Sequence, residues 1–241
     1  MSLSSLNTVS WKYCALPALG LVLISLIPQI HFWLIRGSHW HGAYAMQQGD
    51  ETYYSAYINA LIDGRPRRTD PARGQDDSPK APLPESLFSV QFIPPYAIAL
   101  LARVFGASAS ASFIILMGAA AFLAGLSVFW LLASVTGDNR LAAAGVLFVL
   151  CLGALAAGQG WIGIIFRPGA RFSGLPFLRR YLPSVPFPLF FVFCTLTWRA
   201  LTMPTKRSAL ISGVLAGLTF AVLIFSYLYL WTAAAAWLVC I

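Results

Sequence analysis

Residues 110–135, SASFIILMGAAAFLAGLSVFWLLASV, form an unbroken run without a charged side chain. An α-helix needs about 20 apolar residues to cross the hydrocarbon core of a bilayer, so this run predicts a membrane span. It ends at the polar turn Thr136-Gly137-Asp138-Asn139-Arg140, and a second apolar stretch begins at Leu141. Two apolar helices joined by a tight polar turn are typical of a helical membrane protein.

The composition of the whole chain agrees with this interpretation. Of the 241 residues, 59% are hydrophobic and only 10% are charged, and the mean hydropathy is +0.73. A soluble domain carries about a quarter charged residues, so a soluble enzyme, a disordered chain and a disulfide scaffold are all excluded. A transmembrane β-barrel would alternate polar and apolar residues and is also excluded. The sequence predicts an all-α, polytopic transmembrane helical bundle that forms a single membrane domain over residues 1–241.

Apolar runs divide the chain into six expected spans and two polar loops. The final run ends without a cap or a polar flank, so we expect the natural protein to continue past Ile241. One loop covers residues 36–109 and the other covers residues 159–184. The expected spans are about 13–35, 110–135, 141–158, 185–203, 208–226 and an incomplete one at 229–241.

Two segments of the first loop are predicted to be helical. Residues 47–63 predict an amphipathic helix, in which Tyr54, Ile58, Leu61 and Ile62 fall on one stripe. Residues 87–105 are apolar but are interrupted by Gln91, Pro94-Pro95 and Arg103, so they fit a span or an interfacial helix. If this segment lies at the interface, both polar loops share one face of the membrane. The positive-inside rule does not clearly favour either of the two topologies.

The acidic residues are concentrated in one part of the chain. Seven of the eight lie between residues 50 and 85, and the sharpest feature there is Gly49-Asp50-Glu51-Thr52-Tyr53-Tyr54, just after the first span. Membrane proteins place their ionisable groups mainly at water-accessible and functional positions, so this stretch is the first candidate site. The net charge of +8 favours phosphate or anionic lipid as a partner over nucleic acid.

The Asp50-Glu51 motif and the segment Pro94-Pro95-Tyr96 followed by Val104-Phe105-Gly106 give the chain a family resemblance. It resembles the C-type (GT-C fold) membrane glycosyltransferases, such as aminoarabinose transferases and protein O-mannosyltransferases, over about residues 1–200. The resemblance implies interfacial helices in the first extracytoplasmic loop, a polyprenyl-phosphate-linked sugar as donor, and Asp50 at the transfer centre. It also implies a bacterial inner (plasma) membrane with the active face extracytoplasmic, and leaves open a divalent cation as cofactor. The C-terminal half of such enzymes is absent, and arginines stand where some members carry a second outer-loop acid.

The chemistry of such a transfer gives the residues roles. Asp50 or Glu51 supplies a base for the acceptor hydroxyl, and Tyr54 is the candidate to touch the sugar. The guanidinium group of arginine binds two phosphate oxygens at once and stabilises the negative charge that develops on the leaving group. The predicted cation cluster consists of Arg167, Arg171, Arg179 and Arg180. Base and cations can meet only if both loops share one face, which favours the interfacial interpretation of residues 87–105.

Other interpretations of the same residues stay open. Asp50-Glu51 fits a pair of acids favoured by the dipole at a helix start, and the arginines fit anchors on lipid headgroups. A non-enzymatic transporter or lipid-binding membrane protein is the alternative function. His39-Trp40-His41 lacks a third metal ligand nearby, and Gly213-x-x-x-Gly217 indicates close helix packing. The four cysteines, Cys14, Cys151, Cys194 and Cys240, suggest neither a metal site nor a disulfide.

Overall fold

The computed structural model describes residues 9–46, 49–65, 87–153 and 184–241, and these residues are helical without a strand. The predicted all-α class is confirmed for this part of the chain. Among the described residues, three helical segments are long and apolar enough to cross a membrane, and they cover Lys12–His39, Ala109–Thr136 and Lys206–Ile224. The helices are α1 Lys12–Arg36, α2 Glu51–Ile62, α3 Leu87–Val90, α4 Ile93–Phe105, α5 Ala109–Thr136, α6 Asn139–Leu147, α7 Pro186–Thr202, α8 Lys206–Ile224 and α9 Leu228–Cys240.

Helix α5 is the centre of the bundle and contacts α1, α6 and α7. Small residues let α1 approach it closely. A Cβ atom placed on Gly125 would lie 3.2 Å from the Cα atom of Ala18, and Cys14, Ala121 and Ala124 are buried in the same contact. Close approach through small side chains is the usual way that apolar helices associate in lipid, where burial alone gives little driving force.

One end of the bundle, here called the basic end, is defined by two hydrogen bonds between distant parts of the chain. The Ser10 backbone N–H donates to Oδ1 of Asn139 at 3.0 Å, and the indole N–H of Trp198 donates to the Ser134 carbonyl at 3.2 Å. These bonds bring together the start of α1, the end of α5, the start of α6 and the end of α7. Five basic side chains lie at or near this end, from Lys12, Arg140, Arg199, Lys206 and Arg207.

The opposite end, here called the α2 end, is held by a cluster of apolar side chains. Ile58 of α2, Ile98 of α4 and Phe113 in the first turns of α5 are buried in it, and Val185 and Tyr227 pack against them. The cluster therefore joins α2 and α4 to the starts of α5, α7 and α9.

Both ends of α4 lie at the α2 end of the bundle. The Ile93 backbone N–H donates to the Phe225 carbonyl at 3.2 Å, just after α8 ends. At the other end of α4, Gly106 adopts φ +63° and turns the chain directly into α5. Helix α4 therefore lies across the end of the bundle instead of running through it.

Several predicted boundaries differ from the structure. Helix α2 begins at Glu51 and not at residue 47, because Gly49 and Asp50 form a turn. The run 87–105 contains two helices, since Pro94 and Pro95 occupy the first turn of α4, where a missing N–H costs nothing. After Leu147 the chain continues as a wider π-helical turn through residues 148–153, and most of the loop 159–184 lies outside the described residues.

The pair Gly213 and Gly217 does not form the close contact that its spacing predicts. In the same part of α8 the buried residues are Ser212 and Ala216, each one position before a glycine of the pair, and Leu223 is buried further along the helix. A Cβ atom on Gly213 would reach the Ala200 Cβ only at 3.9 Å, and one on Gly217 would meet nothing within 4 Å. Among the described helices, the contact of α8 with α7 therefore uses the neighbouring face.

Candidate functional site

Asp50 occupies the N-cap position of α2, yet its carboxylate makes no capping hydrogen bond to the first turn. Three other helices of the chain do use such a bond: Ser108 caps α5, Asp138 caps α6 and Thr205 caps α8. A capping side chain contributes about 1 kcal/mol to a helix. The position of Asp50 is therefore not explained by side-chain capping, although Asp50 and Glu51 both lie where the positive end of the helix dipole favours an acid.

Glu51 is the most deeply buried acid among the described residues. Its side chain is 2% exposed, and its Oε1 atom and the Oδ1 atom of Asp50 are both inaccessible to solvent. Burial of a carboxylate is costly, although the positive end of a helix dipole offsets part of that cost. Asp50 as a whole is half-buried, so of the two acids it is the one that a substrate can reach.

The segment that leads into α2 is held by a side chain from α1. Gln29 is fully buried; its Oε1 atom accepts a hydrogen bond from the Ala45 N–H at 2.7 Å, and its Nε2 atom donates to the Ala43 carbonyl at 3.5 Å. Between these two residues, the Tyr44 hydroxyl donates to the Glu51 carbonyl at 3.2 Å. We call this arrangement the Gln29 clamp. It connects the core of the bundle to the residue at which α2 begins.

Helix α2 lies on α4 through the face that the sequence predicts. Ile58 and Leu61 are buried, while Tyr54 and Ile62 are half-buried and pack against the cluster around Ile58. Tyr54, the predicted sugar contact, therefore has a packing role as well. Tyr57, two turns after Asp50, is 1% exposed.

Tyr57 is unsuited to act as a base beside Asp50. Burial, together with the nearby Tyr96, raises the pKa of Tyr57 to about 12. Near neutral pH its phenol therefore remains protonated, because the uncharged form is favoured where solvent is excluded. Tyr57 is consequently not a candidate base for the acceptor hydroxyl.

The predicted cation cluster, Arg167, Arg171, Arg179 and Arg180, lies outside the described residues. The described residues on each side of it can be placed. Cys151 packs in the same core cluster as Phe187 and Phe191, in the first turns of α7. Val185 contacts the cluster around Ile58 at the α2 end. The chain thus leaves the described structure after residue 153 and returns to it at the α2 end.

Sequence reasoning missed Gln29 and Tyr44. Gln29 did carry a signal, because it is an amide inside an apolar run, and a polar side chain in such a run requires a partner. Tyr44 carried none, since a tyrosine close to a membrane interface is ordinary. Within the described residues, no group of three or more His, Cys, Asp or Glu side chains could hold a metal ion. His39 and His41 therefore gain no third ligand there.

Replacement of Gln29 with leucine tests the clamp. The variant keeps the volume of the side chain but removes both hydrogen bonds to residues 43–45. A buried hydrogen bond whose partner is lost costs about 1–3 kcal/mol, so we expect amide exchange over residues 43–52 to accelerate by about tenfold or more. Hydrogen–deuterium exchange followed by mass spectrometry measures this.

The matched control is Ser25→Ala, one turn earlier on the same helix. Ser25 is equally buried, but its hydroxyl donates only within α1, to the Val22 carbonyl at 2.8 Å. Exchange over residues 43–52 should be unchanged in this variant. Equal exchange in the wild-type protein and in Gln29→Leu would show that the clamp does not hold the segment.

No protein-family model matches the chain, and no curated protein or solved structure is significantly similar to it.

Proposed function

We propose that this protein is a membrane glycosyltransferase that moves a sugar from a polyprenyl-phosphate donor to an acceptor at the extracytoplasmic face. In this proposal the chain is a polytopic transmembrane bundle resembling the N-terminal module of C-type glycosyltransferases, in the bacterial inner membrane. The observation that carries the proposal is the acid pair at the start of α2. Asp50 is half-buried beside the buried Glu51, on an end of the bundle that Val185, which follows the arginine-rich segment, also contacts.

The proposed reaction is a group transfer that requires neither an oxidant nor a reductant. The acceptor oxygen forms a bond to the anomeric carbon of the sugar while the bond from that carbon to the phosphate oxygen breaks. The hydroxyl proton of the acceptor moves to the Asp50 carboxylate. The polyprenyl phosphate leaves as an anion, and Arg167, Arg171, Arg179 and Arg180 stabilise the charge that develops on it. Because phosphate is a stable leaving group, the site needs little general acid catalysis.

The accessibility of the two acids supports a division of roles. Asp50 is exposed enough to meet a substrate, whereas Glu51 is 2% exposed and its carbonyl accepts the hydrogen bond from Tyr44. Asp50 is therefore the proposed base, and Glu51 is buried directly beside it in the chain. Tyr54 lies one turn after Asp50 and is the proposed contact for the sugar.

A transporter is less well supported by the helices. Transporters bind their substrates near the middle of the membrane, commonly at broken helices with ionisable groups. Helix α5 has no ionisable side chain, and those of α8 are confined to its first turn, Lys206 and Arg207. The described acids lie in or beside α2 and at the opposite turn, outside the three candidate spans.

Donor turnover tests the proposed function. The full-length protein, purified in detergent, is incubated with polyprenyl-phosphate sugars labelled in the sugar, beginning with aminoarabinose and mannose donors and a membrane extract as the source of acceptors. We expect one donor to be consumed, with release of polyprenyl phosphate and transfer of label to the extract. If folded protein consumes no donor of such a panel, the proposed function is wrong.

A further inference from the structure

We propose that the cavity between α2 and α4 binds a membrane phospholipid, with its phosphate on Arg103 and an acyl chain against Leu61 and Leu100. The inference uses the fold and is independent of the proposed sugar transfer. The cavity has a volume of about 270 Å³ and is lined by Leu61, Gly64, Tyr96, Ala99, Leu100 and Arg103. It is smaller than the pockets that enclose whole drug-sized ligands, so it fits part of a larger amphipathic molecule.

The outer surface of α4 indicates that its surroundings are lipid. One face of this helix packs on α2, through the buried Ile98 and Ala99. The other face is also apolar but exposed, with Leu100 at 64%, Val104 at 69% and Phe105 at 79% exposure. A continuous apolar surface of this kind marks a contact with a membrane or with another apolar partner. Because α4 lies across the end of a bundle that contains three candidate spans, lipid at the membrane surface is the partner that fits.

Arg103 is the cation of this cavity, and within the described chain its guanidinium takes part in no ion pair. The nearby Asp63 pairs instead with Arg65, at 2.8 Å. The carbonyls at the end of α4 do not need the guanidinium either, since the N–H of Ala107 donates to the Ala102 carbonyl at 2.8 Å and that of Gly106 to the Arg103 carbonyl at 3.4 Å. Arg103 thus remains able to bind an anion.

The combination of groups selects the ligand. A guanidinium fork binds two oxygens of a phosphate, and Tyr96 lines the same cavity. Leu61, Ala99 and Leu100 offer apolar surface directly beside it. A phospholipid can place its phosphate on the guanidinium and its acyl chain on the apolar surface at the same time. Inorganic phosphate can use only the guanidinium, and a neutral diacylglycerol can use only the apolar surface.

A second cavity provides a matched control. It has a similar volume, about 290 Å³, and lies at the basic end, where it is lined by Tyr13, Gly137, Asp138, Asn139 and Arg140. Arg140 is exposed, as Arg103 is. However, the lining of this cavity is mainly polar and includes the carboxylate of Asp138, which repels a phosphate. Loss of Arg140 should therefore not affect lipid binding as loss of Arg103 does.

Native mass spectrometry of the full chain, released from detergent, measures the binding of added phosphatidylglycerol. We expect Arg103→Gln to weaken it by about tenfold, Arg103→Lys to retain part of it, and Arg140→Gln to leave it unchanged. Leu100→Gln should also weaken it, because the acyl contact is lost. Diacylglycerol with the same chains should bind more weakly, and inorganic phosphate at equal concentration should not compete.

Three outcomes would overturn the proposal. Equal retention of phosphatidylglycerol by Arg103→Gln and Arg140→Gln would show that Arg103 is not the phosphate ligand. Equal binding of diacylglycerol would reduce the cavity to an apolar contact, and competition by inorganic phosphate would make it a site for free phosphate. If Arg103→Gln does not fold, the comparison of the three ligands on the wild-type protein and on Arg103→Lys still decides the question.

Discussion

Replacement of Asp50 with asparagine in the full-length protein is expected to lower sugar transfer by about 10²–10⁴-fold, the usual range for loss of a general base. Asparagine keeps the shape of the side chain and can still form hydrogen bonds, but it has neither the charge nor the basicity. Donor binding should change much less, because in the proposed mechanism the arginines hold the phosphate. The measurement is the rate of release of polyprenyl phosphate at saturating donor, together with the dissociation constant of the donor.

The chain offers a matched control for this variant at the other end of α2. Asp63 follows the last residue of that helix, is exposed, and forms an ion pair with Arg65 at 2.8 Å. Asp63→Asn makes the same chemical change outside the proposed site, and exposed ion pairs contribute little to stability. Its transfer rate should stay within about twofold of the wild-type rate. Near-normal turnover by Asp50→Asn would reduce the Asp50-Glu51 motif to a pair of acids at a helix start.

Replacement of Arg180 with alanine is expected to have a different balance of effects. A guanidinium that binds the phosphate of the bound donor also binds it as the leaving group, so both donor affinity and turnover should fall. Charge-assisted hydrogen bonds contribute about 1.5–3 kcal/mol, which corresponds to a loss of donor affinity of about 10–150-fold. Isothermal titration calorimetry measures donor affinity, and single-turnover kinetics measure sugar transfer, so the two effects can be separated.

Arg207→Ala is the matched control for the cation. Arg207 is exposed in the first turn of α8, at the basic end of the bundle. The substitution removes the same charge at the basic end, away from Asp50, so donor binding and turnover should both be unchanged. If Arg180→Ala lowers turnover while donor affinity is unchanged, Arg180 does not hold the phosphate in the ground state.

The helices that sequence could predict are those in which local signals agree. For α5, the uncharged run 110–135 and the polar turn that starts at Thr136-Gly137 indicate the same element, which the structure shows as Ala109–Thr136. The break between α8 and α9 followed from length, since the uncharged stretch after Arg207 exceeds one span. In the structure, Phe225–Tyr227 separate the two helices, and the backbone of Tyr227 is extended.

The features that sequence could not predict depend on contacts between distant residues. Pro94 and Pro95 interrupt an apolar run, but only the hydrogen bond from Ile93 to Phe225 shows that α4 starts at the same end of the bundle where it finishes. In the same way, Gln29 is one polar residue in an apolar helix until the chain returns with Ala43 and Ala45 beside it. The acid pair was visible in the sequence as a motif, whereas the deep burial of Glu51 required the packing of α2 on the bundle.

Labelling of introduced cysteines in intact cells tests whether the acid pair and the arginine cluster share one extracytoplasmic face. The background is Cys240→Ala, which removes the exposed native cysteine; of the other three, Cys14 and Cys194 are buried and Cys151 is partly buried. A membrane-impermeant maleimide is applied to cells that carry Gln75→Cys, Ser173→Cys or, at the basic end, Pro204→Cys. We expect Gln75→Cys and Ser173→Cys to be labelled in intact cells and Pro204→Cys to be labelled only after permeabilisation. Labelling of Gln75→Cys from outside, with Ser173→Cys reacting only after permeabilisation, would place base and cations on opposite faces of the membrane and rule out the proposed mechanism.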